Sequence, residues 1–332
     1  MIAPELAEHF RGKRVLITGG LGFIGSTIAR ELVECGAQIT LVDSLTPEYG
    51  GNLANIAGIE ERVRVNISDV RDEHSFRFLI RDQDVLFNLA GQTSHVDSMA
   101  EPYTDLDINA RSQLSILEAC RHHNPDARVV FASTRQIYGR PRYLPVDEQH
   151  PLQPVDVNGI NKLAGEWYHL VYGEVYGIRT CILRMTNTYG PRMRVKDARQ
   201  TFLGFWFRLL LEGRALQVWG GAQRRDFNYV DDAVRAFLLA AVREEAVGKV
   251  YNLGDAHVLT LEDLAEQLTS MAPGSYEVVS FPEERLRIDI GDYFGDFAKI
   301  QAELGWAPAV PLEEGLRRTV DYYRRHGSRY WP

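Results

Sequence analysis

A glycine-rich segment near the amino terminus is the first part of the sequence whose residue types and spacing could do chemistry. Residues 19–25 satisfy both GxGxxG and GxxGxxG, between a predicted strand and a predicted helix. Glycine permits the tight turn and the close approach of the main chain to a pyrophosphate, and the helix N-terminus then offers free amides to the phosphates. We therefore expect a dinucleotide to contact Gly19, Gly22, Phe23, Ile24 and Gly25.

An acidic residue at the end of the second predicted strand indicates which dinucleotide binds. Asp43 lies 18 residues after Gly25, and no arginine or lysine follows it within the next few residues. A carboxylate there accepts hydrogen bonds from the adenosine ribose and repels a 2′-phosphate, so NAD is predicted rather than NADP. Asp69 and Val70, after the third predicted strand, are placed to meet the adenine edge. The plainer interpretation is that the glycines only form a turn and Asp43 only caps a loop, but strand, helix and acid together disfavour it.

The elements that must position these residues alternate between short apolar runs and helix-period segments. The predicted strands are Arg14 to Thr18, Gln38 to Val42, Val63 to Val65, Val85 to Leu89, Val129 to Ala132 and Arg179 to Arg184. The predicted helices are Phe23 to Cys35, Ala110 to His122 and Asn161 to Tyr176. Such alternation predicts the α/β class, a Rossmann doubly wound parallel sheet with helices on both faces.

The second half of the chain has a less regular pattern and is richer in glycine, proline and arginine. We place an NAD-binding Rossmann domain at residues 1–186 and a smaller C-terminal α/β substrate domain at residues 187–332. A return of the chain to the main sheet near Val250 to Leu253 is left open.

Composition narrows the classes of partner. The 332 residues carry a formal net charge of -8, which argues against nucleic acid or an anionic membrane as a partner. The cysteines, Cys35, Cys120 and Cys181, are far apart, so neither a disulfide framework nor a metal site is expected. The sequence shows no secretory leader and no apolar run long enough to span a bilayer, so we expect a cytoplasmic protein.

Several segments farther along the chain carry a family resemblance. They are Asn88 to Gln92, Phe131 to Gly139, Leu183 to Arg192, Arg225 to Ala233 and Leu304 to Pro308. Together with TGGLGFIGS they resemble the extended short-chain dehydrogenase/reductase family, which contains sugar-nucleotide epimerases, 4,6-dehydratases and decarboxylases. The resemblance covers nearly the whole chain and implies an NAD-dependent enzyme, UDP-glucose 4-epimerase-like, that acts on a nucleotide diphosphate sugar.

The resemblance also implies roles for individual residues. Contacts to NAD are expected from Leu89, Ala90, Gln92 and Lys162, and Thr134 is expected to hydrogen-bond the sugar hydroxyl. The donors expected at the substrate diphosphate are Asn187, Arg225 and Arg287. The alternative role for Arg225 is a surface ion pair with Asp226 or Asp231.

One departure from the family pattern affects the catalytic base. The family pairs a tyrosine with a lysine four residues later; here Lys162 is in place, but Asn158 occupies the tyrosine position. A carboxamide has no accessible pKa near neutrality and cannot accept the hydroxyl proton. His95 is a candidate replacement base, because histidine titrates near neutrality and the residue follows the fourth strand. The alternative is that His95 has no catalytic role and is a loop residue that makes an ordinary hydrogen bond. Weaker candidates for the base are Asp156, Tyr103 and Tyr189.

A second departure bears on the type of reaction. The family's dehydratases and decarboxylases carry acidic residues directly after the catalytic threonine, whereas Arg135 and Gln136 stand there in this chain. We therefore favour epimerisation, most plausibly at C4. The alternatives are a 4,6-dehydratase or decarboxylase, and a catalytically impaired protein that binds NAD and a nucleotide sugar. Arg135 is a candidate partner for a carboxylate on the sugar, and a single arginine does not establish one.

The family's usual assembly predicts a homodimer built from two helices of each subunit. The matching segments are Ile108 to His122 and Asn161 to Tyr176. Apolar residues on them, Leu114, Leu117, Trp167 and Leu170, face either a partner or the sheet, and periodicity does not decide between the two.

Overall fold

Strands and helices alternate along the chain in the computed structural model, which describes residues 4–331 apart from the side chain of Glu284. The strands are β1 (Arg14–Thr18), β2 (Gln38–Asp43), β3 (Val63–Ile67), β4 (Val85–Asn88), β5 (Arg128–Thr134), β6 (Arg179–Met185), β7 (Asn187–Tyr189), β8 (Leu216–Trp219), β9 (Arg224–Tyr229), β10 (Lys249–Asn252), β11 (Val258–Thr260) and β12 (Tyr276–Val279). The helices are α1 (Pro4–Phe10), α2 (Phe23–Glu34), α3 (Glu73–Leu79), α4 (His95–Ala100), α5 (Pro102–Leu106), α6 (Ser112–His123), α7 (Val157–Tyr176), α8 (Phe202–Leu211), α9 (Val230–Val242), α10 (Leu261–Met271), α11 (Glu283–Leu286), α12 (Ala298–Leu304) and α13 (Leu312–His326).

The central sheet has seven strands in the order β10-β6-β5-β4-β1-β2-β3, and each neighbouring pair is parallel. Strand order reverses between β1 and β4, which is the switch point where doubly wound sheets bind ligands. The predicted Rossmann architecture is confirmed. The chain also returns to this sheet late, because β10 pairs with β6.

Helices cover both faces of the sheet, as the apolar pattern of the strands requires. Val15 and Ile17 of β1 pack in one core with Ile28 of α2 and Phe237 of α9. Leu16, between them, belongs to the core on the opposite face, with Ile116 and Leu117 of α6. Because side chains alternate along a strand, β1 is buried on both faces, which is typical of a parallel sheet.

Two helices begin at different residues from those predicted. The helix predicted from Asn161 starts four residues earlier, because the Asp156 carboxylate accepts a hydrogen bond from the main-chain N–H of Gly159 and caps α7. The helix predicted from Ala110 starts at Ser112, after one π-helical turn at Asp107–Arg111. A π turn is a local irregularity that frequently accompanies functional sites.

The C-terminal part of the chain adds two small sheets beside the carboxyl ends of the main strands. One has the strand order β11-β9-β7 and the other pairs β12 with β8. The fully buried Trp306 anchors the C-terminal segment by donating its indole N–H to the carbonyl of Asp232 at 2.9 Å. Within residues 4–331, none of the helices combines the length and apolar character needed to cross a membrane.

Candidate active site

A cavity of about 1130 Å³ lies at the carboxyl ends of the main strands and extends between them and the small C-terminal sheets. Most of the residues singled out from the sequence line it: Gly19, Gly22, Phe23, Ile24, Gly25, Asp43, Asp69, Val70, Leu89, Ala90, His95, Thr134, Asn158, Lys162, Asn187 and Arg225. The sequence motifs, although spread along the chain, therefore meet at one site. Gln92 and Arg287, predicted at the cofactor and the substrate, lie outside this lining. The weaker candidate bases also lie outside it: Asp156, the exposed Tyr103 and the buried Tyr189.

The turn between β1 and α2 has the geometry of a phosphate cradle. Gly19 has a φ of +66°, which only glycine adopts without strain. A Cβ on Gly25 would lie 2.3 Å from the carbonyl oxygen of Gly19, so the turn packs too closely for any side chain. Gly22 caps α2 without a side-chain hydrogen bond, which leaves the first amides of the helix available to an anion.

Asp43 stands beside this turn at the end of β2. Its carboxylate accepts hydrogen bonds from the main-chain N–H groups of Leu21 and Leu45, both at 3.0 Å. Burial raises the pKa of Asp43, although these two hydrogen bonds act in the opposite direction. The cradle and the oriented carboxylate fit the pyrophosphate and the adenosine ribose of NAD.

Two of the residues predicted at the cofactor have protein partners of their own. Asp69 forms an ion pair with Arg71 at 2.7 Å, and this hydrogen bond holds the pKa of its carboxyl below the ordinary value. Gln92 is 3% exposed and lies behind the cavity wall, where its main-chain carbonyl accepts hydrogen bonds from Asn109 and Asn158. Gln92 thus supports the wall of the cavity without lining it.

Thr134 and Lys162 lie at the centre of the cavity wall. Thr134 ends β5 and caps a short 3₁₀ turn, Arg135–Tyr138, by accepting a hydrogen bond from the N–H of Gln136. The Lys162 ammonium donates to the carbonyl of Ala132 at 3.2 Å. Burial lowers the pKa of Lys162 to about 8, although the carboxylates of Asp105 and Glu166 oppose that shift.

Asn158, in the position of the family's tyrosine, is a buried hydrogen-bond donor. Its side-chain nitrogen lies 2.7 Å from the carbonyl oxygen of Gln92 and 3.0 Å from a carboxylate oxygen of Asp105. Asn109 and Asn161 also donate to Asp105, so three carboxamides surround one fully buried carboxylate. The cluster satisfies that charge and gives the site no proton acceptor at Asn158.

His95 and Asp156 form a pair across the cavity wall. Nδ1 of His95 lies 3.0 Å from Oδ2 of Asp156, and the Gln136 side chain donates to the same oxygen at 3.1 Å. Burial raises the pKa of Asp156, but the interaction with His95 and the hydrogen bonds from Gly159 and Gln136 together outweigh it, so the pKa lies below its ordinary value. The His95 side chain is 35% exposed and lines the cavity. An Nδ1–H donated to Asp156 leaves Nε2 of His95 as a proton acceptor.

The far end of the cavity contains donors and aromatic side chains from the C-terminal part of the chain. Arg225 is 5% exposed and donates to the carbonyls of Arg224 and Gly291. The ion pair with Asp226 or Asp231 weighed for Arg225 does not form; its nearest carboxylate in residues 4–331 is that of Asp289, at 3.8 Å. Asn187 lines the same region and donates to the carbonyl of Asp226.

Arg285, two residues before Arg287, is the arginine of α11 that reaches the cavity. Arg287 itself is exposed, and its main-chain carbonyl accepts a hydrogen bond from the guanidinium of Arg140. Arg285 lies over the ring of Trp219 at 4.8 Å, and Phe281 packs edge-on against that ring at 5.9 Å. The sequence analysis missed this aromatic group, because one tryptophan and one phenylalanine 62 residues apart carry no motif.

The family of the chain follows from comparison with known proteins. The model of the NAD dependent epimerase/dehydratase family matches residues 15–254, and the chain belongs to that family. It is therefore an NAD-dependent protein of the nucleotide-sugar epimerase/dehydratase class, with the extended short-chain dehydrogenase/reductase fold.

Individual relatives include both epimerases and dehydratases. The chain is 33% identical to a putative UDP-glucose 4-epimerase of Methanocaldococcus jannaschii, over 94% of this chain and 99% of the relative. The solved UDP-glucose 4-epimerase of Thermotoga maritima, in complex with UDP-glucose, is 30% identical, with a TM-score of 0.84 over 94% of this chain and 99% of that one. The dTDP-glucose 4,6-dehydratase DesIV of Streptomyces venezuelae, solved with NAD bound, is 29% identical, with a TM-score of 0.86 over 95% and 98% of the two chains.

Proposed function

We propose that the protein epimerises a nucleotide diphosphate sugar, most plausibly at C4, by transient oxidation of a sugar hydroxyl to a ketone. The observation that carries this proposal is the meeting of Thr134, Lys162 and the His95–Asp156 pair in the cavity that also contains the glycine turn. NAD, when bound, supplies the acceptor and donor of the hydride. The same cavity is long enough to extend from the cradle of β1 and α2 to Arg225.

Different side chains of this site bind the sugar and accept its proton. Thr134 hydrogen-bonds the hydroxyl to be oxidised, and Nε2 of His95 accepts the proton of that hydroxyl. Asp156 holds the imidazole in the tautomer with Nδ1–H and stabilises the imidazolium that forms. Lys162 contributes positive charge beside the nicotinamide ribose, and Asn187 and Arg225 bind the diphosphate. Asn158 orders the wall behind these groups.

Elimination and decarboxylation are the second candidate activities, and the residues after Thr134 weigh against them. Arg135 and Gln136 occupy the two positions where the family's dehydratases carry acids, and neither side chain donates and accepts a proton near neutrality. The Gln136 amide is also engaged, because it donates to Asp156.

A protein that binds NAD and a nucleotide sugar without turnover is the third candidate. The observation in its favour is Asn158, whose donors are already occupied by Gln92 and Asp105. The His95–Asp156 pair counts against it, because a purely binding site does not need an oriented imidazole.

We also propose that the protein forms a homodimer through α7. Four apolar side chains on one side of this helix, Ile160, Trp167, Val171 and Val175, are between 45% and 62% exposed. Leu117 of α6, by contrast, is fully buried in the core, so it packs against the sheet. A second copy of the chain is the occupant expected for an apolar row on a helix that the family uses for dimerisation.

The test of the proposed activity is incubation with NAD and a panel of nucleotide sugars in heavy water, with each sugar followed by NMR. A new stereoisomer without deuterium at the epimerised carbon supports internal return of the hydride. Deuterium in a 4-keto-6-deoxy or pentose product identifies dehydration or decarboxylation instead. Binding of NAD and a nucleotide sugar without any product favours the binding protein.

A further inference from the structure

We infer that the sugar of the substrate carries a carboxylate and that Arg135 binds it. This inference deepens the proposed function, on which it rests, by naming the substrate class as nucleotide diphosphate uronic or other acidic sugars. It starts from a guanidinium in the cavity wall that has no acceptor among the described residues.

Arg135 follows Thr134 directly and lines the cavity. Within residues 4–331, side chain of Glu284 aside, no carboxylate lies within 4.0 Å of its guanidinium and no protein atom accepts a hydrogen bond from it. Its Nε–H is buried without a partner. An unsatisfied buried donor costs free energy, so its retention in a cavity wall points to an acceptor on the ligand.

Arg184, a buried arginine nearby, shows how the fold pairs a guanidinium that serves structure. Arg184 binds Glu166 through two nitrogens and both carboxylate oxygens, and it also donates to the hydroxyl of Tyr138. Arg135 instead lies over an aromatic ring, with Cζ 5.6 Å from the centre of the Tyr293 ring. The ring holds the guanidinium in place and leaves its donors available.

A second unsatisfied group lies next to Arg135. The hydroxyl of Ser133 is buried, lines the cavity and has no hydrogen-bond partner among the described residues. The main chain is extended at Thr134, with φ -143° and ψ 152°, so Ser133 and Arg135 project to the same side of the chain. A hydroxyl donor and a guanidinium side by side match the two oxygens of a carboxylate.

The carboxylates near Arg135, those of Asp226 and Asp289, accept hydrogen bonds from other groups of the protein. Asp226 accepts hydrogen bonds from Thr186 and from the main-chain N–H of Gly295. Asp289 accepts from the side chain of Gln223 and the N–H of Gly291. Asp226 and Asp289 partly offset the positive charge at this end of the cavity, but neither carboxylate accepts a hydrogen bond from Arg135.

The position of Arg135 favours the sugar over the diphosphate as its partner. Thr134, the preceding residue, is the group proposed to contact the reacting hydroxyl, so a guanidinium one residue away lies within reach of a substituent on the same ring. Arg225 and Asn187, which line the far end of the cavity, are the side chains proposed to bind the diphosphate.

The test measures binding to the NAD-loaded protein by titration calorimetry, with UDP-glucuronate, UDP-glucose and UDP as probes. The dTDP counterparts are measured in parallel, so that the nucleobase does not decide the result. We expect the wild type to bind the glucuronate ~10- to 100-fold more tightly than the glucose derivative, the range of a charge-assisted bidentate contact. Arg135→Gln should remove this preference and leave the affinities for UDP-glucose and UDP unchanged, and Arg135→Lys should retain part of it.

Arg64→Gln, at an exposed position on β3, is the matched control for the loss of one cation, and it should keep the preference. Equal affinity of the wild type for both sugars overturns the inference. So does an Arg135→Gln variant that loses affinity for UDP itself by the same factor, because Arg135 would then bind the diphosphate. The measurement needs no turnover: a glucuronate preference without epimerisation contradicts only the proposed reaction, and epimerisation without preference contradicts only the acidic substrate.

Discussion

The hydrogen bonds of Asn158 connect two parts of the site that lie far apart in the sequence. Its carboxamide joins the carbonyl of Gln92, in the segment after β4, to the carboxylate of Asp105 in α5. Lys162 lies one turn later on the same face of α7, and the negative charge of that carboxylate acts to raise the pKa of Lys162. The residue in the position of the family's tyrosine is thus part of a buried polar cluster, and the proposed function assigns proton transfer to His95, which lines the same cavity.

The His95–Asp156 pair leads us to predict that catalysis depends on the imidazole of His95. His95→Asn keeps a donor near the position of Nδ1 but removes the titratable acceptor, so we expect kcat to fall by about 10²- to 10⁴-fold with little change in substrate affinity. Steady-state kinetics on a sugar turned over by the wild type measure the effect. His122→Asn, at an exposed position on α6, is the control. A variant at His95 with kcat within about threefold of the wild type would place the base elsewhere.

Lys162 carries a prediction about stability and pH. Burial lowers its pKa from 10.5 to about 8, so between these two pH values the unfolded chain holds a proton that the folded chain has lost. Stability rises with pH wherever the unfolded state binds more protons. The free energy of unfolding of the wild type without NAD should therefore rise relative to that of Lys162→Met across this window, and below pH 8 the difference should be constant.

Urea unfolding of the two proteins at a series of pH values measures this difference. Lys196→Met, at an exposed position, shows the effect of removing a lysine from the surface. A difference between wild type and Lys162→Met that is flat from pH 8 to 10.5 would show that Lys162 keeps its proton in the folded state.

At the scale of elements, α7 and the β1–α2 turn position most of the groups proposed to bind NAD and act on the sugar. The cap of α7 supplies Asp156, and its first turns supply Asn158 and Lys162 at a spacing of four residues, which places both on one face. The β1–α2 turn positions main-chain amides instead of side chains. A substitution there should therefore act through backbone geometry.

Gly25→Ala tests this property of the turn. The added Cβ would lie 2.3 Å from the Gly19 carbonyl oxygen and 2.9 Å from the Cα of Gly20, so the turn must open. We expect the affinity for NAD to fall at least about tenfold, because the amides no longer converge on the pyrophosphate. Fluorescence titration with NADH measures the loss, and Ser26→Ala, in the next position of α2, is the control. Unchanged affinity would show that the cradle tolerates a side chain and does not bind the phosphates.

At the scale of the whole molecule, the cavity lies where strand order reverses and where the C-terminal sheets cover the carboxyl ends of the strands. The opposite side of α7 from Asn158 and Lys162 is the apolar row of Ile160, Trp167 and Val171. Dimerisation through this row would place an interface on the helix that carries the site.

Trp167→Asp is expected to convert the protein from a dimer to a monomer, because it places a charge at the centre of the apolar row. Sedimentation velocity at micromolar concentration measures the change. Phe78→Asp, on α3, is the matched control, because Phe78 is also a large exposed apolar residue, 69% exposed, but lies away from α7. A wild type that sediments as a monomer contradicts the proposed dimer, and a dimeric Trp167→Asp variant excludes this face as the interface.

The features predicted correctly from the sequence depend on short-range patterns. The alternation of apolar runs and helical segments leads to the parallel sheet, and the glycine spacing leads to the turn between β1 and α2. Asp43 follows from its place at the end of a strand. Each of these depends on residues close together in the chain, because backbone conformation and strand burial are set by local sterics and periodicity.

The side-chain contacts of the site depend instead on packing between segments that are distant in the sequence. His95 and Asp156 lie 61 residues apart, and the packing of α4 against α7 brings them to 3.0 Å. The pairing of Asn158 with Asp105 depends likewise on which side chains the folded chain places opposite each other. So does the lack of an acceptor for Arg135 among residues 4–331, the side chain of Glu284 aside. A sequence read along its length identifies the groups able to move a proton or bind an anion. Which of them remain free to do so is set by hydrogen bonds that exist only once the chain has folded.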